Sequence, residues 1–251
     1  MHSTLPRLAL LAGGLATRMH PLTERVPKSL LMIDGEPFLA HQLRLLSEQG
    51  VTDIVICCGY LGEQIEVFAG DGSRFGCRLW YSYDGNTLLG TGGALKRALP
   101  LLGSSFFVMY GDSYLFADPT RAWKAFLASG QPALMTVFKN DGRWDVSNVE
   151  VSEGRVLCYT KGGQRPGLRH IDYGLSVMHA SVLETWGDHE VFDLATVMAS
   201  LAADGQLAAH EVHSRFYEIG SSEGFRATEQ MLGALRRSRE SELLSMAGCE
   251  R

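Results

Sequence analysis

Residues 11–31 read LAGGLATRMHPLTERVPKSLL, and this stretch decides the fold class of the chain. The apolar run over residues 7–12 predicts a buried strand that ends at Gly13 and Gly14. Glycines at the carboxyl end of such a strand let backbone N–H groups face an anion, and open α/β folds bind their ligands at that edge. The stretch therefore indicates an α/β protein with an anion-binding loop after an early strand.

The same loop lacks the two commonest nucleotide-binding fingerprints. No G-x-G-x-x-G opens a helix here, because Pro21 and Pro27 follow, and no G-K-[ST] of a Walker A loop occurs. Arg18 offers a fork of donors suited to phosphate oxygens, and Lys28 adds a mobile point charge. On its own, the loop fits either an anion site or an ordinary strand-to-loop turn with two surface cations.

Strands and helices alternate through the first half of the chain. Apolar strands are predicted over Asp53–Cys58, residues 78–82, Ser105–Tyr110 and Ala133–Lys139, and helices over residues 37–49, 91–102 and 118–129. Strands that are apolar on both faces suit a parallel sheet covered by helices. We therefore expect a Rossmann-like, three-layer α/β fold with a mostly parallel sheet.

The pattern changes after residue 140. A hairpin is predicted over residues 149–159, followed by a strand over residues 171–178, a helix over residues 193–203 and a charged helix from residue 223 to about residue 244. No repeat or linker interrupts the chain. We expect a single domain over residues 1–251, with the parts 1–140 (nucleotide-binding), 141–232 (smaller, antiparallel, acceptor-binding) and 233–251 (C-terminal helix).

Residues 13–28 resemble the G-G-x-G-T-R…P-L-T…P-K signature of the sugar-1-phosphate nucleotidyltransferases. The resemblance implies a nucleotide-diphospho-sugar transferase fold and a loop that contacts the nucleotide at Ala12, Gly13, Gly14 and Thr17. It also implies that Arg18 grips the departing pyrophosphate and that Lys28 holds the attacking or α-phosphate group. Ala16 stands where the family usually has glycine, and we expect its methyl group to be tolerated.

The glycine-rich stretch LGTGGA (residues 89–94) resembles the family's L-G-T-[AG]-x-A motif, which implies that Gly90 and Thr91 lie against the base. Close helix–strand packing explains the same glycines equally well. Asp84 stands near the family's base-reading Gln or Glu. A carboxylate accepts from the N–H groups of guanine, or from the imide N–H of uracil and thymine. Guanine is slightly favoured because it offers two such groups; an ordinary turn aspartate is the alternative.

Two carboxylates resemble the family's metal ligands. Asp112 follows an apolar strand in a G-D pair, and Glu218 lies in FYEIGS, which resembles W-x-D-x-G-[ST]. Mg²⁺ takes few carboxylates together with substrate phosphate oxygens. Glu218 has a second interpretation, as the acidic partner of the helix that follows Ser221.

The acceptor half resembles the family's sugar pocket at Asn148, Lys161, Asp172 and Gly174. Thr160 replaces the glutamate of the usual E-K pair, and Asp172 stands where asparagine is common. These departures leave the sugar undetermined. Singly, each residue also fits a solvated strand end.

The resemblance implies an enzyme that joins a nucleoside monophosphate to a sugar 1-phosphate by Mg²⁺-assisted in-line displacement, with GTP slightly preferred over UTP or dTTP. The nearest types are the short bacterial guanylyl- and uridylyltransferases for heptose, mannose or N-acetylmuramate 1-phosphate. A cytidylyltransferase for a non-sugar phosphate stays open, because Trp144 and Tyr173 could bind an amine. A different class is a catalytically silent, nucleotide-sensing subunit.

Composition narrows the partners. A formal net charge of −5 gives no general attraction to nucleic acid. No apolar run suits a membrane span and no signal peptide is recognisable, so we expect a cytoplasmic protein. The cysteines are expected to be reduced core thiols, at Cys57, Cys58, Cys77, Cys158 and Cys249. Histidine spacing supports no zinc site, and assembly into a homo-oligomer is left open.

Overall fold

Strands from both predicted halves of the chain join one nine-stranded sheet. The computed structural model describes residues 5–140, 142–162, 165–188 and 190–248. The strands are β1 (Leu8–Leu11), β2 (Met32–Ile33), β3 (Glu36–Pro37), β4 (Asp53–Cys58), β5 (Arg78–Tyr83), β6 (Ser105–Tyr110), β7 (Ser113–Tyr114), β8 (Ala133–Lys139), β9 (Val149–Ser152), β10 (Arg155–Tyr159), β11 (His170–His179), β12 (Leu207–Val212) and β13 (Tyr217–Glu218). The helices are α1 (Phe38–Glu48), α2 (Gly62–Ala69), α3 (Gly90–Leu102), α4 (Pro119–Ser129), α5 (Ser181–Glu184), α6 (Leu194–Ala203) and α7 (Ser222–Gly248).

The sheet is mixed, in the order β5-β4-β1-β6-β11-β8-β12-β10-β9. Strands β5, β4, β1 and β6 run parallel, so their carboxyl ends meet at one edge. Strand β11 then enters antiparallel to both β6 and β8, and β12 runs parallel to β8. The α/β class is therefore confirmed, and the antiparallel strands of the second half extend the same sheet.

Alternation along the central strands divides the core between the two faces of the sheet. In β1, Leu8 and Leu10 pack with α1, α2 and α4, whereas Ala9 and Leu11 pack with α3, α5 and α6. Successive side chains of a strand point to opposite faces, so a run that is apolar throughout needs helices on both. This produces the expected three layers.

Several features differ from the sequence-based expectations, among them strand β12 and helix α5, which were not predicted. Helix α2 was not predicted either. Cys57, Cys58 and Cys77 are buried free thiols as expected, whereas Cys158 is half-exposed and not a core residue. Strand β11 contains a bulge: Asp172 pairs with Val137 but Ser176 pairs with Met135, so the intervening residues of β11 outnumber those of β8. Cys249 lies outside the described residues, as does the end of the predicted 233–251 helix beyond Gly248.

Among the described residues, none of the helices combines the length and the apolar character that crossing a membrane requires.

Candidate active site

The loop between β1 and β2 (residues 12–31), which we call the first-strand loop, packs against the backbone of Gly59 at Gly13. A Cβ built on Gly13 would lie 2.8 Å from the backbone nitrogen of Gly59, and the Gly13 carbonyl accepts from Tyr60 N at 3.1 Å. By contrast, a Cβ on Gly14 would have nothing within 4 Å. Gly13 is therefore required by packing, while Gly14 lies against open cavity space.

Ala16 adopts a left-handed backbone conformation, with φ of 50° and ψ of 39°. Alanine occupies this region at a cost of about 1–2 kcal/mol, which glycine avoids. The buried Thr23 hydroxyl holds the strained residue by donating to the Ala16 carbonyl at 2.9 Å. The structure thus gives a backbone reason for the glycine usual at this position. The turn Thr17–Met19 follows and leaves Arg18 exposed.

Lys28, Asp112 and Glu218 converge around Gly220. Lys28 Nζ donates to Asp112 Oδ2 at 2.5 Å. A Cβ built on Gly220 would lie 2.9 Å from Glu218 Oε2, 3.0 Å from Asp112 Oδ2 and 3.6 Å from Lys28 Nζ. The ribbon of β7 and β13 creates this proximity, because it pairs Ser113 with Glu218. Two carboxylates and an ammonium group, distant in sequence, therefore surround one point.

Glu218 also caps helix α7. Its Oε1 accepts from the Ser221 hydroxyl at 2.6 Å, and its Oε2 accepts from the backbone N–H groups of Ser221, at 3.1 Å, and Gly220. The helix-partner interpretation of Glu218 is therefore realised in this conformation. Asp112 Oδ1, in contrast, accepts only a 3.5 Å contact, from the Ser113 hydroxyl, within the part of the chain that the structure describes.

Gln42 holds the backbone on both sides of Asp112. It lies on α1 with 0% exposure, and its Nε2 donates to the carbonyls of Tyr110, at 3.2 Å, and Ser113, at 2.7 Å. The Gln42 amide thereby holds the backbone just before and just after the Asp112 carboxylate. Sequence reasoning missed this residue because the partners lie far along the chain.

A cavity of about 290 Å³ opens beside the first-strand loop, and we call it the nucleotide cavity after the residues that the sequence predicted to bind the nucleotide. It is lined by Leu11, Ala12, Gly13, Gly14, Lys28, Ser29, Cys57, Asp84, Leu88, Gly90, Thr91, Ala94, Tyr110, Gly111, Asp112 and Asp193. The structure thus brings most of the predicted nucleotide residues together. Thr17 is the exception, since it is exposed and lies outside this lining.

Asp84 is 7% exposed in the nucleotide cavity, and burial raises its pKa. Its Oδ2 accepts from the backbone N–H of Leu89 at 3.1 Å, which opposes that rise. Asp84 therefore stabilises the turn before α3, as expected for an ordinary turn aspartate, and it also lines the cavity.

The LGTGGA stretch has two separate roles. Cβ atoms on Gly92 and Gly93 would collide with Phe192 and Glu190, at 2.3 and 2.6 Å, so these glycines serve close packing. Gly90 and Thr91 line the nucleotide cavity, and the Thr91 hydroxyl accepts from Leu194 N at 2.8 Å. Close packing also accounts for Gly90, whose Cβ would lie 2.6 Å from the Phe192 carbonyl oxygen. Contact of Gly90 and Thr91 with a base stays a prediction.

A second cavity, of about 620 Å³, adjoins the first, and we call it the acceptor cavity after the sugar-phosphate residues predicted from the sequence. Tyr110 and Asp112 line both. The acceptor cavity also contains Arg18, Ser113, Trp144, Asp145, Asn148, Tyr159, Asp172, Tyr173, Gly174, Arg215, Phe216, Tyr217, Glu218, Ser221, Glu223, Gly224 and Ala227. Three of the four predicted sugar-phosphate residues are among them.

Lys161 is the fourth, and the structure places it elsewhere. Its Nζ pairs with Asp193 Oδ2 at 2.8 Å, and its side chain is 71% exposed. Asp193 lines the nucleotide cavity, so Lys161 stands at the rim of that cavity. Asp193 and Arg215 were not identified from the sequence, because only the fold brings their segments to the two cavities.

The bulge in β11 places Asp172 among hydrogen-bond donors. Gly174, with φ of 100°, donates its N–H to Asp172 Oδ1 at 3.0 Å, and Tyr159 donates its hydroxyl to Oδ2 at 3.3 Å. Asn148 Oδ1 accepts from Asp172 N at 3.0 Å. Burial raises the pKa of Asp172 from 3.8 to about 6, against the lowering effect of the two donors. A carboxyl whose pKa is raised to about 6 therefore lies in the acceptor cavity.

Asp172 is expected to make stability fall with rising pH. Because the folded state binds this proton more tightly than the unfolded chain, the free energy of unfolding decreases between about pH 4 and pH 6. The decrease should be on the order of 2–3 kcal/mol for a shift of this size. Asp172→Asn removes the titrating carboxyl and with it this decrease. The free energy of unfolding of the variant should therefore rise relative to that of wild type as pH increases through that range. Urea unfolding of both proteins across the range measures the difference; a constant difference would contradict the assignment.

Comparison with known proteins gives a family match and partial relatives. A family model described as Nucleotidyl transferase matches residues 9–144 of the 251. The N-acetylmuramate alpha-1-phosphate uridylyltransferase of Neisseria meningitidis is 42% identical over 116 residues, 46% of this chain and 50% of that protein. The mannose-1-phosphate guanyltransferase beta-B of Xenopus laevis is 29% identical over 229 residues, 86% of this chain and 61% of that protein. The chain thus spans 50% and 61% of the lengths of these two relatives.

Among solved structures, HddC from Yersinia pseudotuberculosis complexed with GMP-PN has a TM-score of 0.73 and 24% identity, over 91% of this chain and 100% of that chain. This likeness shows the fold. The family match covers the first-strand loop, Asp84 and Asp112, whereas most of the acceptor cavity lies beyond residue 144.

Proposed function

The chain belongs to the Nucleotidyl transferase family, and on that premise we propose that it transfers a nucleoside monophosphate from a nucleoside triphosphate to a sugar 1-phosphate. The observation that carries the proposal is that two cavities, of about 290 and 620 Å³, meet at Tyr110 and Asp112 beside Lys28. A donor in one and an acceptor in the other would bring their phosphates together at Asp112.

The reaction we propose is an in-line displacement. A phosphate oxygen of the sugar 1-phosphate forms a bond to the α-phosphorus, and the bond from that phosphorus to the bridging oxygen of pyrophosphate breaks. A phosphate oxygen is already nucleophilic, so the site needs no strong general base. Its work is positioning and charge neutralisation. Lys28, at the junction of the cavities, would hold the α-phosphate, and Arg18 the departing pyrophosphate.

The carboxylates at the junction fit a Mg²⁺ ion. Asp112 already has one cation, the Lys28 ammonium, at 2.5 Å, and Asp112 Oδ1 has only a long contact. Glu218 Oε2 lies near the same point and would have to release part of its cap on α7 to join. When bound, Mg²⁺ would neutralise phosphate charge. Asp112 would be its principal protein ligand and Glu218 the second.

For the base, we propose one that presents an N–H group to Asp84. Because Asp84 Oδ2 accepts from Leu89 N, Oδ1 is left for the ligand. A single acceptor matches the imide N–H of uracil and thymine as well as one N–H of guanine, whereas adenine and cytosine place an acceptor ring nitrogen beside their amino group. The reason for preferring guanine is thereby reduced, and the proposed donors are GTP, UTP and dTTP.

A non-sugar, amine-bearing acceptor is less compatible with the cavity. The Trp144 ring has the Arg215 guanidinium 3.9 Å from its centroid, and Tyr173 is 2% exposed with its hydroxyl accepting from Phe116 N at 3.2 Å. The Trp144 ring therefore already carries a cation on one face, and the buried Tyr173 ring offers no face to an ammonium group. A sugar, read by Asn148 and Asp172, is the acceptor we propose.

The test is a matrix of triphosphates against sugar 1-phosphates, with pyrophosphate release as the readout. We expect turnover with GTP, UTP or dTTP and a hexose, heptose or N-acetylmuramate 1-phosphate, and little with ATP or CTP. The same preparation should bind the preferred triphosphate in calorimetry. Binding of a triphosphate without turnover on any acceptor would instead indicate the nucleotide-sensing class.

A further inference from the structure

Arg215 lies in the acceptor cavity with its guanidinium on aromatic rings. The guanidinium carbon is 3.9 Å from the Trp144 ring centroid and 4.7 Å from that of Tyr217. Guanidinium groups stack on aromatic faces with their plane, which leaves the N–H edge available. Trp144 is 50% exposed, so the stack borders the open cavity.

The N–H groups of Arg215 have no acceptor in the part of the chain that the structure describes. The contacts found there for Arg215 are the two ring contacts, with no ion pair or hydrogen bond. The surface arginines Arg44, Arg78 and Arg236, by comparison, each pair with a carboxylate. Arg215 is therefore a positioned cation with unused donors.

The charges around the cavity make such a cation necessary for an anionic ligand. Its described lining has carboxylates at Asp112, Asp145, Asp172, Glu218 and Glu223, against cations at Arg18 and Arg215. Lys161 does not help, since it pairs with Asp193 at the nucleotide cavity. Arg18 lines the acceptor cavity as well, but the proposed function uses Arg18 for the departing pyrophosphate and Lys28 for the α-phosphate. Arg215 is the cation left for the acceptor.

We propose that Arg215, held against Trp144, binds an oxyanion of the acceptor, either its 1-phosphate or a carboxylate substituent of the sugar. Both groups are planar or tetrahedral oxyanions that match the guanidinium fork. The identification of the ligand as an acceptor rests on the proposed function; the anion site itself does not. Because the rest of the lining is acidic, an acceptor whose anionic group lies far from Arg215 should bind more weakly.

Calorimetry without triphosphate tests the site with three probes. Glucose 1-phosphate offers only a phosphate, N-acetylmuramic acid only a carboxylate, and methyl glucoside neither. We expect at least one anion to bind wild type, about tenfold or more weakly to Arg215→Met, and with intermediate affinity to Arg215→Lys, which keeps the charge but loses the fork. Arg226→Met is the matched control, an exposed arginine of α7 outside both cavity linings. Which probe responds identifies the oxyanion.

Trp144 reports where the anion binds. The same probe should change tryptophan fluorescence in wild type, and Trp144→Phe should lose that change while keeping affinity within about threefold, because phenylalanine preserves a ring face. The proposal is overturned if neither anion binds wild type, if Arg215→Met binds within about twofold of wild type, or if the fluorescence change survives in Trp144→Phe. Absence of turnover in the triphosphate matrix, with Arg215-dependent binding intact, would reject the proposed function alone.

Discussion

Asp112→Asn is expected to lower kcat about 10³-fold, since a metal ion's charge stabilisation is worth several kcal/mol and each 1.36 kcal/mol is a factor of ten. The substitution keeps the shape of the side chain and removes the charge that now lies 2.5 Å from Lys28 Nζ. An amide is a much weaker ligand for a hard cation. Pyrophosphate release at increasing Mg²⁺ measures both kcat and the Mg²⁺ requirement, which should rise.

Asp204→Asn is the control for that experiment. It makes the same change of charge at an exposed position beside the C-terminal end of α6, outside both cavities. We expect its kcat to stay within about twofold of wild type, as for most surface substitutions. If Asp112→Asn retained turnover within about fivefold of this control, Asp112 would have no place in the mechanism.

Gly13→Ala and Gly14→Ala are expected to fail in different ways although they are neighbours. At Gly13 the new methyl group would stand 2.8 Å from the Gly59 backbone nitrogen. Two backbone segments must then separate, and overpacking of this kind costs about 1–3 kcal/mol or more of a total stability of about 5–15 kcal/mol. Gly13→Ala should therefore lower the urea midpoint of unfolding, or prevent recovery of folded protein.

At Gly14 the methyl group meets nothing within 4 Å and projects where the nucleotide is proposed to lie. Gly14→Ala should keep the urea midpoint of wild type and raise the KM for the triphosphate, by about tenfold if one close contact is lost. Calorimetric binding of the triphosphate separates this from an effect on turnover. An unchanged KM in a folded Gly14→Ala protein would place the phosphates away from this glycine.

The sequence was sufficient for the α/β class and for most of the alternating strands and helices, although it missed α2, α5 and β12. The strand Asp53–Cys58 is apolar and buried from Ile54 onward, and only a sheet covered on both faces buries such a run. The same local logic placed the first-strand loop at the carboxyl edge, where the nucleotide cavity is found. The bulge in β11 escaped prediction, because it follows from register with β8 and β6 and not from composition.

The roles of individual site residues depend on partners that are remote in sequence. Lys161 matched a family motif, yet it pairs with Asp193 across the chain. Glu218 matched a metal motif, and its oxygens cap α7 in this conformation. The sequence shows which side chains are charged, but the packing of the fold determines which groups they pair with. The assignments of Arg18, Lys28, Asp112 and Asp84 to substrate or metal stay predictions that the experiments above address.

By itself, then, the sequence determined the fold class and the chemical character of the first-strand loop, because hydrophobic periodicity and glycine placement act over a few residues. Only the tertiary structure shows that Gly13 has no room for a side chain while Gly14 has room. It also determines which carboxylates lie near Lys28, and it places Arg215 in the lining of the acceptor cavity. Those facts depend on distances between segments up to about two hundred residues apart, and such distances are fixed only when the sheet assembles.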